Sequence, residues 1–350
     1  MAGQLLAIDL FSGCGGLTLG LKRAGFTVIG AIDLDSLAND TYKANHTDVR
    51  LWETDIRNVS ADEVRRKLRL RKGRLDVLAG CPPCQDFSSI RTLNGGRIVR
   101  NRQQKDLVYE VLRYVRGLRP KVVMFENVPG IVKDRRFAWL RNSLARLGYK
   151  CIWKVLDAAS YGVPQRRRRL ILLGSRLSKP NFAKPVKGTK TVKGAISSLP
   201  RPGGSGDPLH DVSEARSERI ARLIGKIPKN GGSRRYVPRS MQLGCHRRCN
   251  GFKDVYGRMK WNDAAPTITG GCVNPSKGRF LHPEQDRAIT LREAALLQSF
   301  PRSYYFSMRR GKYAAASLIG NALPPELIRR QAIAIGRHLR SHGFTNGLTK

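Results

Sequence analysis

Short, nearly continuous apolar runs, each giving way to a turn that carries glycine, proline or an acid, set the architecture of this chain. Leu5–Leu10, Thr27–Ile32, Leu75–Ala79, Lys121–Phe125 and Leu170–Gly174 have strand length, and a further strand is expected near Cys151–Leu156. Between them lie segments of helical spacing: Leu17, Leu19, Leu21 and Ala24; Asp35 to Lys43; Ala61 to Leu70; Lys105 to Leu118; and Phe137 to Leu147. The apolar stripe Leu107, Val108, Val111, Leu112 and Val115 is core packing. Strand and helix in alternation predict an α/β fold, and open sheets of that class hold ligands outside the carboxyl ends of their strands.

The chemistry-bearing residues gather at those ends. Phe11-Ser12-Gly13-Cys14-Gly15-Gly16 follows the first strand and opens a helix. Glycines there let the backbone approach a ligand, and a helix N-terminus offers unpaired N–H groups. A dinucleotide fingerprint needs GxGxxG, but Thr18 stands where its last glycine belongs, so another nucleoside cofactor fits better than NAD. Asp33, followed by Leu34, closes the second strand, where an acid accepts ribose hydroxyls. Asp55, followed by Ile56, either faces an adenine amino group or caps a helix.

After Leu75–Ala79 comes Gly80-Cys81-Pro82-Pro83-Cys84-Gln85-Asp86-Phe87-Ser88. Two prolines cannot pair in a ladder, so the backbone leaves the sheet in a stiff arc that presents Cys84. A thiol attacks as the thiolate, which a basic chain favours. Cys81-x-x-Cys84 also reads as a redox pair or half a zinc site; the Pro-Pro filling and the lack of a second CxxC weigh against both. The polar stretch Arg91–Gln103 is either a closing lid or a surface loop. Glu126, heading Glu126-Asn127-Val128-Pro129-Gly130, ends the next strand on the edge expected for Cys84. In Gln165 to Arg169, alternation puts Arg167 and Arg169 on one face and Arg166 and Arg168 on the other.

Charge narrows the partner. With 65 Lys and Arg against 26 Asp and Glu, the net charge is +39, which favours a polyanion. Seven cysteines without a leader pattern suggest a reducing compartment, and no apolar stretch approaches membrane-spanning length, so a cytoplasmic protein is expected. From Ser175 the composition shifts to Pro, Gly, Ser and Lys. Residues 207–276 read as a small, loop-rich, β-containing domain suited to a DNA groove. Cys245-His246-x-x-Cys249 has only Cys272 and His282 to complete a metal site, at irregular spacing, so no metal is expected. Thr290 and Glu293 form a capping box for a helix over 289–300, and Tyr313–Ile319 and the amphipathic helix Glu326–Leu339 close the chain.

Taken together, these blocks resemble the DNA cytosine-5 methyltransferases in that family's order. Phe11-x-Gly13-x-Gly15-Gly16 is similar to its S-adenosylmethionine turn and Pro83-Cys84-Gln85 to its nucleophile motif. Glu126-Asn127-Val128 is similar to its acid motif, Gln165-x-Arg167-x-Arg169 to its arginine motif and Gly320-Asn321 to its last cofactor block. The resemblance implies a Rossmann-like methyltransferase sheet over 1–199 and 312–350, with a target recognition domain over 200–311. It further implies base flipping, attack by Cys84, an acid role for Glu126, and Arg167 with Arg169 on the cytosine O2. Cofactor contacts would be Phe11, Gly13, Cys14, Gly15, Gly16, Asp33, Leu34, Asp55, Ile56, Pro83 and Asn321. Double-stranded DNA would meet Gln85, Ser88, Gln165, Arg247, Arg248, Tyr256 and Arg258. The protein would be a monomer at the nucleoid, with or without a cognate restriction endonuclease. Asp86 departs from the small residue usual after the Gln, and its charge should raise the Cys84 pKa. A related branch acting on tRNA shares Pro-Pro-Cys-Gln but carries a Cys-Phe-Thr element not found here.

Overall fold

The computed structural model describes residues 4–83, 107–212, 214–248 and 253–344. Two compact units emerge: Met1–Asp157 with Arg168–Pro185 and Pro325–Lys350, and Ala158–Arg167 with Val186–Pro324. The second unit thus takes in more chain than 200–311, including the helix at 311–321, because backbone contacts rather than composition delimit it.

A seven-stranded sheet builds the first unit, in the order β3-β2-β1-β4-β5-β7-β6. Its strands are β1 (Leu5–Leu10), β2 (Phe26–Asp33), β3 (Arg50–Glu53), β4 (Val77–Gly80), β5 (Val122–Asn127), β6 (Lys150–Asp157) and β7 (Arg168–Ser175). Pairing is parallel from β3 to β5, whereas β7 runs antiparallel to both β5 and β6. β3 escapes the sequence reading because Arg50-Leu51-Trp52-Glu53, at the sheet's edge, is exposed or half-buried throughout and shows no apolar run.

Helices α1 (Gly16–Arg23), α2 (Ser36–Asn45), α3 (Ala61–Lys67), α4 (Leu107–Leu118) and α5 (Arg135–Arg146) connect the strands. Caps set their starts: Asp35 accepts from Leu37 N–H, and Ser60 from Glu63 N–H. On one sheet face Ile8, Leu10, Leu78, Val123 and Phe125 pack with Val64, Val111, Leu112, Phe137 and Leu140. Each such side chain contributes roughly 1.5–3 kcal/mol. On the other face α1 covers Asp9, to which Thr18 donates at 2.7 Å.

The second unit is loop-rich, with short helices α6 (Val192–Ile196), α7 (Glu218–Gly225), α8 (Gly244–Arg248), α9 (Leu291–Leu297) and α10 (Gly311–Asn321). The Thr290–Glu293 capping box starts α9 as expected. The expected β content reduces, among the described residues, to isolated bridges such as Arg258 with Leu281, because hydrogen bonds here run mainly through turns and arginine side chains. Leu223, Ile224, Ile227, Val237, Tyr256 and Leu281 form a small core. The closing helix, α11 (Pro325–Arg340), returns to the first unit. No helix among the described residues is long and apolar enough to cross a membrane.

Candidate active site

Strand order reverses between β1 and β4, so the chain leaves their carboxyl ends in opposite directions and a crevice opens there. Leu10 pairs with Gly80, and Cys81 N–H donates to the Leu10 carbonyl at 3.2 Å. The glycine turn and the Cys81–Pro83 arc therefore start side by side. Next along the edge is the end of β5. There Asn127 Nδ2 donates to the Pro82 carbonyl at 3.0 Å, while its Oδ1 accepts from Val128 N–H at 2.8 Å. Asn127 thereby pins the arc to the strand that carries Glu126.

Glu126 is 2% exposed and is held from two sides. Arg169 Nε lies 3.1 Å from its Oε1, and the Cys81 thiol donates to its Oε2 at 2.6 Å. Arg169 reaches it because β7 is antiparallel: Glu126 pairs with Ile171, so β7 begins where β5 ends. Burial first, and then the Glu126 charge, push the Cys81 thiol well above the usual thiol range. Cys81 is therefore a donor, unsuited to attack.

The glycine turn has the shape a nucleoside cofactor needs. Gly13 has φ +52°, and a Cβ there would meet nothing within 4 Å. Gly15, at φ 90°, turns the chain into α1. Asp33 braces the turn, accepting from Gly13 N–H at 2.7 Å and Asp35 N–H at 2.9 Å. Burial raises the Asp33 pKa, and each carboxylate oxygen still has acceptor capacity for a hydroxyl. Leu34, beside it, is 66% exposed and so open to contact with a ligand. Beneath the turn, burial pushes the Asp9 carboxyl up to about 7, and its Oδ1 has no hydrogen-bond partner among the described residues.

The model of the C-5 cytosine-specific DNA methylases matches residues 5–337. The chain belongs to that family. As a member it is a DNA cytosine-5 methyltransferase, with S-adenosylmethionine as methyl donor. This methylase is 37% identical over 346 residues to the type II methylase M.HgiDII of Herpetosiphon aurantiacus, covering 95% of each chain. It is 33% identical over 340 residues to the type II methyltransferase M1.HphI of Haemophilus parahaemolyticus, covering 95% of this chain and 87% of that one. In fold it is similar to a putative DNA modification methyltransferase encoded within an E. coli prophage, at TM-score 0.70 and 24% identity, covering 96% of this chain and 100% of that one. The S. pombe Dnmt2 methyltransferase superposes with TM-score 0.61 at 19% identity, covering 97% of this chain and 100% of the other.

Several residues singled out in the methylase's sequence take other roles in its structure. Alternation along Arg166–Arg169 holds, with Arg166 and Arg168 exposed, yet the inward pair divides its work. Arg169 meets Glu126, whereas Arg167 donates to the carbonyls of Ile268 at 2.8 Å and Gly320 at 2.9 Å within the second unit. Gln165 is fully buried, donating to Gln298 Oε1 and accepting from Ile268 N–H, so it joins loops rather than facing DNA. Arg258, also fully buried, donates to the carbonyls of Ile224, Ile227, His282 and Gln285 and pairs with Asp286. Buried among the carbonyls at the end of α7, its charge is unavailable to phosphate. Tyr256 is 6% exposed, its ring edge-on to His246.

Arg247 is exposed. Asp55 caps the turn at Ile56–Asn58 and pairs with Arg57, and Ile56 belongs to the core. Phe11 packs against that core, Cys14 is buried, and Pro83 is exposed. Asn321 ends α10 in the second unit, bonded to Ser317. Cys84, Gln85, Asp86, Ser88 and the Arg91–Gln103 stretch lie outside the described residues, as does the Arg248 side chain. Sequence reasoning missed the parts played by Cys81 and Asn127; their positions directly before Pro82 and after Glu126 are the signal that could have found them.

Proposed function

We propose that this methylase extrudes its target cytosine from duplex DNA and engages it with Cys84 at C6, Glu126 at N3 and Arg169 at O2. A base inside the stack hides its reacting atoms, so extrusion precedes chemistry. The Cys84 thiolate bonds to C6 while Glu126 gives a proton to N3, and the electron density thus released makes C5 nucleophilic. Bound S-adenosylmethionine supplies an electrophilic methyl group. Loss of the C5 proton to water then expels Cys84 as a thiolate, and N3 returns its proton to Glu126.

The observation that carries this reading is the buried Glu126, fixed by Arg169 and Cys81 at the edge from which the Cys84 arc departs. Arg167, occupied with the Ile268 and Gly320 carbonyls, is left out of the reacting set. Gly13, Asp33 and the exposed Leu34 would hold the cofactor's nucleoside, with Asp33 on the ribose and Leu34 against the adenine. The second unit would read the target sequence. Relatives named type II methylases support a place beside a restriction endonuclease.

The test is Cys84→Ala, assayed with labelled S-adenosylmethionine and by gel shift. Methyl transfer should vanish while DNA binding survives; transfer at the parent rate would defeat the assignment. Bisulfite sequencing of DNA from cells expressing the protein reports the target.

A further inference from the structure

We infer that Cys81 is a positioning residue for the acid: its thiol and the Arg169 guanidinium together hold the Glu126 carboxyl at the end of β5. This inference rests on the reading of Glu126 as the acid at N3. A glutamate side chain has three rotatable bonds, and a buried one held by a single partner can still swing. Here the partners come from two strands and take one oxygen each. Arg169, from β7, faces Oε1, and Cys81, from the arc after β4, donates to Oε2. The thiol's hydrogen bond on one oxygen and the guanidinium's charge 3.1 Å from the other set the carboxyl's orientation as well as its place.

Cys81 suits this task better than its CxxC spacing suits a redox or zinc role. A thiol beside a carboxyl remains protonated, and its high pKa keeps the donor hydrogen in place across the neutral range. Asn127 ties the Pro82 carbonyl to the strand that carries Glu126, so donor and acceptor move as one piece. Among the described residues, the charged groups that act on the Cys81 thiol are Glu126 on β5, Arg169 on β7 and Asp9 on β1. The thiol also favours the charged carboxylate, and that preference is readable in a pH profile.

The experiment compares the parent with Cys81→Ala, Cys81→Val and Cys81→Ser, and with Glu126→Gln as the reference for the acid. Single-turnover methyl transfer to unmethylated bacterial genomic DNA is followed from pH 5.5 to 9.5, with the KM for S-adenosylmethionine and the melting temperature alongside. Alanine and valine should lower the rate about 10-fold at neutral pH, the size of one lost hydrogen bond to a charged group. They should also move the alkaline limb of the profile upward by about one pH unit, because a donor that favours the carboxylate has gone. The KM for S-adenosylmethionine and the melting temperature should hold, and serine, which restores an O–H donor, should recover both rate and limb. Valine keeps the volume, so it carries the comparison should alanine melt early. Parent-like rates and limbs in alanine and valine, with Glu126→Gln inactive, would overturn the role of Cys81 and leave the acid standing. A serine variant as slow as alanine would equally overturn it. An active Glu126→Gln would remove the underlying reading, and this inference with it.

Discussion

Replacing Arg258 separates a DNA contact from a structural cation. Arg258 is the largest fully buried side chain, and Arg258→Ala removes the donors serving the carbonyls of Ile224 at 2.9 Å, Ile227 at 3.0 Å, His282 at 3.1 Å and Gln285 at 2.6 Å. The Ile224 carbonyl keeps the Ile227 N–H at 3.1 Å, so three acceptors lose their partner; at about 1 kcal/mol each, the low end of the usual range, they come to about 3 kcal/mol. The Asp286 pair adds little, because that carboxylate is 50% exposed and keeps Lys229. For a unit of this size, about 3 kcal/mol lowers the melting temperature by about 9 °C. Differential scanning calorimetry measures it. Arg258→Lys should recover little, since one ammonium cannot span the carbonyls a guanidinium fork reaches. The second assay is the slope of log affinity against log salt, which each lost phosphate contact should flatten by about 0.9. Arg258→Ala below its melting point should keep the parent slope. An unchanged melting temperature with a flatter slope would refute the structural role and return Arg258 to the DNA interface.

Three further outcomes follow from the same geometry. Arg169→Ala should slow methyl transfer about 100-fold in a filter-binding assay while calorimetric binding of S-adenosylmethionine persists, since it removes a fixed charge from beside Glu126; parent-like turnover would sink its role. Gly20→Ala places a Cβ 2.5 Å from Ile328 Cβ and 2.7 Å from the Pro325 carbonyl. Its overpacking, at about 1–3 kcal/mol, should outweigh a helix-propensity gain of about 1 kcal/mol, and a urea midpoint at or above the parent's would contradict the α1–α11 contact. Burial lowers the His282 pKa to about 4, and its Nδ1 accepts from Glu284 and Gln285 N–H, bonds that protonation breaks. The unfolded chain therefore binds the extra proton first. Stability should be full above about pH 6.5 and fall as the pH drops toward 4, by up to about 1.4 kcal/mol per unit from this residue. His282→Gln should flatten that decline in urea titrations at pH 7.5, 6 and 5; an identical decline would exclude His282 as its source.

Much of the first unit was legible because local rules act there without competition. An apolar run of strand length followed by glycines leaves few options, so β1, its turn and α1 could be read directly, and Asp35 and Thr290 marked helix starts. The second unit resisted. Its hydrogen bonds are made by Gln165, Arg167 and Arg258 across long sequence separations, so arginines that look like a solvated surface are interior cross-links.

By itself the chain's order of residues determined β1, β2, β4 and β5, the glycine turn and the candidacy of Glu126, because strand periodicity, turn chemistry and motif spacing are local properties. Only the tertiary structure decided that β7 runs antiparallel against β5, and with it that Arg169 rather than Arg167 meets Glu126. A free strand edge accepts a partner in either direction, so the direction of β7 is set by how the chain connects back to that edge. The same folding brought Cys81 onto the acid's second oxygen, a contact across 45 residues that no local pattern encodes.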